Sequence, residues 1–242
     1  MNEFSFIKLS DTIQSCDVPL PVSAMTDIAH YFDGLIPGIG IVDLDGNYIS
    51  DTAAHTASYE GSGWSWVHYG GAVPNAAKTG NCFVLRFDYG GGVYKYTNPL
   101  FYSENAEYSL FEYYCHETQF GFEYGSTGST YPNKIRLPLR LHDVQYPQEE
   151  KIYVDGNGVR HLLTAKVDKE QELETEYLTD AIHEKIVVML AHDVVKINGI
   201  QYAKSAGYEI DHENEDELSC GTKIHKAKAK MIRNTTLKNT NC

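Results

Sequence analysis

The sequence lacks the short motifs that announce chemistry. There is no CxxC, no HExxH, no GxSxG and no glycine-rich turn followed by Lys-Ser/Thr. These absences exclude a zinc knuckle, a zincin site, a nucleophile elbow and a Walker-type phosphate loop. The five cysteines (Cys16, Cys82, Cys115, Cys220, Cys242) are scattered and odd in number, which fits reduced thiols and not a disulfide framework. No apolar run is longer than Ile186–Ala191, so no segment spans a membrane as a helix. The opening "MNEFSFIKLS" carries Glu3 and no long apolar stretch, and is read as something other than a secretory signal. Tryptophan is confined to Trp64 and Trp66.

Acidic residues are missing from the C-terminal end. None lies beyond Glu217, where Lys223, Lys226, Lys228, Lys230, Arg233 and Lys238 all fall. Residues 1–222 therefore carry net −19, and the remainder carries +6. An acidic body repels phosphate backbones, so no nucleic-acid partner is expected. The basic end is expected to meet an acidic surface, its own or that of a neighbouring copy.

What is present is tyrosine, 18 residues in 242, in stretches that alternate with period two. In "NCFVLRFDYGGGVYKYTNPLFY" (Asn81–Tyr102), Phe83, Leu85, Phe87 and Tyr89 share one strand face, and Val84, Arg86 and Asp88 the other. A phosphate loop opens a helix, whereas Gly90–Gly92 open another strand, so they read as a hairpin tip. Asp45-Gly46, Asp155–Gly158 and Asn198-Gly199 mark further hairpins. "KIRLPLRLHDV" (Lys134–Val144) places Ile135, Leu137, Leu139 and Leu141 on one face, with Pro138 marking an edge or bulge. Lys226, Lys228 and Lys230 alternate with Ala227, Ala229 and Met231 in a last, lysine-edged strand. Thr179-Asp180 is expected to cap one helix running to about Ala191, with Ile182, Ile186, Val187 and Leu190 as its apolar stripe. Acidic "DHENEDE" (Asp211–Glu217) reads as a loop.

The pattern predicts a mainly β, β-rich α+β fold: antiparallel sandwich or barrel-like sheets with one or two short helices. Residues 1–79 read as an N-terminal arm and irregular β region. Residues 80–242 read as a β-rich domain with its helix near 179–191. A single domain overall is the alternative.

Candidate chemistry is thin. Asp43 and Asp45 imitate the start of a calcium loop, but no carboxylate stands at its twelfth position. Cys115-His116 has no second Cys/His pair at zinc spacing, and His183-Glu184 and His192-Asp193 lack a nucleophile or a completing ligand. Acids are so numerous that any glycosidase pair would be arbitrary. No catalytic, cofactor-binding or metal-binding residue is assigned, and a non-enzymatic protein without cofactor is expected. Trp64 and Trp66 share a strand face and could stack on sugar rings, which gives a glycan-binding module or adhesin as the alternative function.

The stretches "GNCFVLRFDYGGGVYKYTNPLFY", "LETEYLTDAIHEKIVVMLAHDVVKINGIQYAKSAGYEID" and "RNTTLKNTNC" resemble tail-region structural proteins of Bacteroidetes phages and prophages, crAss-like phages included. The resemblance covers about Gly80 to Cys242, with His212 standing where the pattern has an aromatic. It implies a virion building block in a portal-proximal ring, tail or baseplate. Such a block is assembled in the host bacterial cytoplasm. Its partners would be other copies of itself and neighbouring tail or portal proteins, without membrane and without direct sequence-specific nucleic-acid contact. It supplies no active-site residues.

Overall fold

The structure, a computed structural model, describes residues 5–14, 18–33, 38–51, 53–58, 64–70, 72–79, 82–104, 108–117, 132–204, 207–218 and 221–233; the side chains of 29–33, 53–58, 64–70 and 163–166 are outside that description. The chain begins with β1 (Leu9–Ser10), β2 (Leu20–Val22), a 3-10 turn (Met25–Asp27), β3 (Ala29–Asp33), β4 (Gly38–Asp43), β5 (Tyr48–Asp51), β6 (Ala53–Ser58), β7 (Trp64–Gly70) and the one-turn helix α1 (Asn75–Lys78). Next come β8 (Phe83–Asp88), β9 (Tyr94–Thr97), β10 (Leu100–Tyr102), β11 (Ser109–Tyr114), β12 (Asn133–Leu137), β13 (Leu139–Leu141), β14 (Gln148–Val154), β15 (Arg160–Val167) and β16 (Glu170–Thr175). The last part holds β17 (Leu178–Thr179), α2 (Asp180–Leu190), β18 (Val194–Ile197), β19 (Ile200–Lys204), β20 (Glu209–Glu217) and β21 (Lys223–Arg233).

The protein is mainly β, as its alternation predicts. One sheet has β8 at its centre, flanked by β4 on one side and by β9 and β10 on the other. A second runs β13-β16-β21-β19-β18-β11-β12-β3-β7-β6, with β17 and β20 also on β21. Only β2 and β10 pair in parallel among the described strands. Because β8 is central, Val84 is as buried as Phe83, Leu85 and Phe87, while Arg86 and Asp88 on its face stay part-exposed; the expected fourth member of the stripe, Tyr89, is 41% exposed at the turn. Gly90, Gly91 and Gly92 all take positive φ, and the Val93 N–H closes the tip on the Gly90 carbonyl. The hairpin reading of these glycines therefore holds.

Several expectations change. The described residues among 5–28, part of the region read as an N-terminal arm, are threaded into the fold: β1 pairs with β9, β2 with β10, and Phe6, Ile7, Leu20, Val22, Met25 and Ile28 join one buried cluster that extends to Met231. Asp211–Glu217, expected as a loop, lies in strand β20, because β21 offers cations to its carboxylates, Glu215 meeting Lys223 at 2.8 Å. Nor is β21 an edge. β16 and β17 lie on one side of it and β19 and β20 on the other, while Ala227, Ala229 and Met231 are buried as the alternation requires.

Pro138 ends β12 and starts β13, since its missing N–H lets the chain leave one ladder for another. In α2 the buried side chains are His183, Lys185, Ile186, Met189 and Leu190, whereas Val187 is 38% exposed. Thr179 occupies the N-cap position, yet its side chain makes no capping bond, since the residue belongs to β17.

Candidate assembly interface

The ladder between β13 and β16 does not stop at the body. Leu139 faces Thr175 and Leu141 faces Leu173; a bridge then joins Gln145 to Glu170, and β14 pairs with β15 from Gln148↔Val167 to Val154↔Arg160. One long hairpin thus spans residues 139–175. Its lower half is anchored in the body, with Leu139 and Leu173 essentially inaccessible, because β16 also pairs with β21. Its upper half is a two-stranded sheet by itself, and every residue of β14 is exposed. At about 3.4 Å per residue, this arm projects by about 20 Å.

The arm carries apolar side chains that no other described element covers. Of the thirteen large apolar residues exposed among the described residues, seven lie between Tyr146 and Val167: Tyr146, Ile152, Tyr153, Val154, Val159, Leu162 and Val167. Ile152 faces Leu162 across the ladder, with Val154 on the same face. On the other face Tyr153 stacks on His161, the rings 6.2 Å apart. An isolated two-stranded hairpin is marginal in water, so exposed apolar residues on both faces call for a covering surface.

The tip is held firmly. The Asp155 carboxylate accepts bonds from the Asn157 and Val159 N–H groups at 2.9 and 3.0 Å, and from His161 Nε2 at 3.0 Å. The His161 bond, followed by that of Val159, holds the Asp155 carboxyl below its usual range. A pre-ordered arm loses less entropy on docking. The sequence carried a signal for it: Ile152-Tyr153-Val154 breaks the polar alternation, leaving a strand apolar on both faces with only one neighbour to bury it.

The expected charge complementarity is satisfied within the chain. Lys226, Lys228 and Lys230 of β21 reach Glu176, Glu172 and Glu170 at 3.7, 3.0 and 3.4 Å. Cross-strand register sets this, since Lys228 and Lys230 stand opposite Glu174 and Glu172. The basic strand is thus neutralised by its own acidic neighbour.

The residues weighed for chemistry separate. The Asp43 carboxylate accepts N–H bonds from Asp45 and Asn47 and from the Asn47 side-chain amide, which is turn chemistry. Cys115 is buried, and burial pushes its thiol up; the neighbouring His116 N–H donates to Asp193. His192 is buried against Tyr113, with ring centres 4.8 Å apart, and its Nδ1–H donates to the Val188 carbonyl. Trp64 and Trp66 stand in β7, between β3 and β6, and their side chains lie outside the described residues. Among the described residues no group of three His, Cys, Asp or Glu converges on a metal position. The crevice beside Phe6, Leu20, Asn98, Ile182 and Lys185 has about 30 Å³, room for a water molecule or two.

No family model, curated protein or solved structure matches the chain.

Proposed function

We propose that the protein is a structural subunit of a tailed-phage particle, a component of a portal-proximal ring, tail or baseplate that acts through protein–protein contacts. The observation that carries this reading is the projecting arm of β14 and β15, a two-stranded ribbon whose apolar faces have no cover among the described residues. Assembly proteins need such elements, because a subunit must fold first and bury the rest of its apolar surface later, against a neighbour. The sequence resemblance to phage tail-region proteins points the same way. The partners of this reading are further copies of the chain and adjacent virion proteins, and its location is the assembled particle.

The test is quantitative mass spectrometry of purified particles of the phage or prophage that encodes the chain. The chain is expected at a fixed copy number relative to portal protein. Absence from washed, intact particles that contain their other tail proteins overturns the reading.

A further inference from the structure

We infer that the arm's partner is a second copy of this chain, and that neighbouring arms join by unlike edges, β14 of one against β15 of the next. The inference rests on the reading of the arm as an assembly element and adds the partner and the pairing.

Three observations favour this pairing. First, both edges of the ribbon are open among the described residues, since β14 and β15 pair only with each other. Second, the edges differ in charge. β14 carries Glu149 and Glu150 against a single Lys151, whereas β15 carries Arg160 and Lys166 and no acid. Pairing β14 with β14 sets carboxylates beside carboxylates, and pairing β15 with β15 sets cations beside cations; only unlike edges attract. Third, symmetry supplies the direction. In a closed ring every arm points the same way along the axis. Because β14 and β15 run antiparallel within one arm, β14 of one copy then runs antiparallel to β15 of the next. With neighbouring arms at equal height, Glu149 falls opposite Lys166 of a second copy and Ile152 falls near its Leu162, extending the cross-strand pattern of the single arm.

The result is a continuous antiparallel sheet built from one hairpin per copy. It removes both open edges, which a chain of two arms cannot do. A single seven-residue edge is small against the roughly 800 Å² per partner of a standard stable interface. Two copies therefore associate weakly, and closure favours the complete ring over open dimers.

The experiment uses full-length wild type and a fourfold variant, Glu149→Lys, Glu150→Lys, Arg160→Glu and Lys166→Glu. The variant keeps opposite charges facing within its own arm, so its hairpin is preserved. Each protein alone is expected to form the same oligomer. In an equimolar mixture they sort, because each wild-type edge meets its like sign on the variant. Native mass spectrometry of wild type mixed with a mass-tagged variant should find mixed oligomers below about a tenth of the statistical share. Statistical mixing places the interface elsewhere and overturns the inference. Preferential mixing overturns it in favour of like-edge pairing. A wild type that stays monomeric at every concentration also overturns it. Each of these three results leaves the subunit reading standing if the chain is found in purified particles.

Discussion

The Tyr208 hydroxyl lies 2.6 Å from Nδ1 of His183, and its neighbours decide where the proton sits. The Ala227 N–H can only donate, and it donates to the Thr175 hydroxyl oxygen at 2.8 Å. The Thr175 hydroxyl also interacts with that of Tyr208. Tyr208 then donates to His183 Nδ1, so His183 carries its proton on Nε2 and gives it to the His225 carbonyl at 3.0 Å. One directed chain of hydrogen bonds thus ties β21, β16, the start of β20 and α2 together. Replacing Tyr208 by Phe removes a link in its middle, leaving a buried imidazole nitrogen without its donor. The expected loss is about 1–3 kcal/mol, read as a lower urea midpoint at unchanged slope. An unchanged midpoint would show that the chain does not contribute.

The same imidazole makes stability depend on pH. Burial is the main influence that lowers His183 below 6.5; the His225 carbonyl and Asp180 oppose it, and His225 and His212 add to it. Burial likewise lowers His192. Both histidines bind protons more readily unfolded than folded, so stability falls as pH drops below about 6.5, by up to about 1.4 kcal/mol per pH unit for each histidine. Carboxyl effects fall lower. Burial raises Asp27 and Glu174, but Arg136 and the Ser23 bonds together outweigh it for Asp27, and Arg140, His142 and Lys228 for Glu174, so their contributions disappear only near and below pH 4. Urea midpoints between pH 7.5 and 5.5 should therefore decline for wild type and decline less for His183→Gln. Parallel declines would assign the effect to other groups.

The protein has two kinds of ion pair, and they should respond differently. Asp27 is 4% exposed, and its Oδ2 accepts bonds from the Ser23 and Ala24 N–H groups, the Ser23 hydroxyl and Arg136 Nε. Asp27→Ala leaves the part-buried Arg136 guanidinium with its bond to the Tyr108 carbonyl but without its carboxylate, and should cost about 3 kcal/mol. Lys228, more than half exposed, reaches diagonally to Glu172 at 3.0 Å on a ladder that stays paired by its backbone, so Lys228→Ala should cost less than about 1 kcal/mol. Chemical denaturation of the two variants checks the contrast.

What the sequence revealed follows the same divide between local and distant causes. Turns were legible because adjacent residues set them: Asn198 and Gly199 both adopt positive φ, which Asn tolerates and Gly takes without a Cβ penalty. Strand existence was legible from alternation. Strand position was not, because alternation does not say which strand lies next to which. The acidic Glu209–Glu217 segment looked like a loop until β21 supplied its neighbour, and the lysine strand looked like an edge until β16, β17, β19 and β20 closed on it. The candidate interface was missed for a related reason. Asp155–Gly158 announced the hairpin, but only the register shows that the ribbon continues beyond the last strand that could cover it.

The Asn198-Gly199 turn also separates backbone strain from space. A Cβ at Gly199 meets nothing within 4 Å, so Gly199→Ala is opposed only by its φ of +80° and should cost about 1–2 kcal/mol. Gly207 is equally open and lies outside the positive-φ set, so Gly207→Ala should be neutral or stabilising by up to about 1 kcal/mol. Thermal unfolding of the two single variants distinguishes them; equal effects would refute the strained turn.

Excising the arm should separate folding from assembly. Gln148 and Val167 face each other at its base, so deleting residues 149–166 and joining these two through Asn-Gly leaves a two-residue hairpin where the ribbon now rises. None of the described side chains removed belongs to the buried cluster, whose nearest strand members are Leu139 and Leu173. The body should keep its urea midpoint to within about 1 kcal/mol. Self-association should disappear in sedimentation velocity, because the removed segment holds five of the exposed apolar side chains and both unpaired edges. A shortened chain that still assembles would place the contact on the body. One that fails to fold would make the ribbon part of the protein's own stability, contrary to its exposure on both faces.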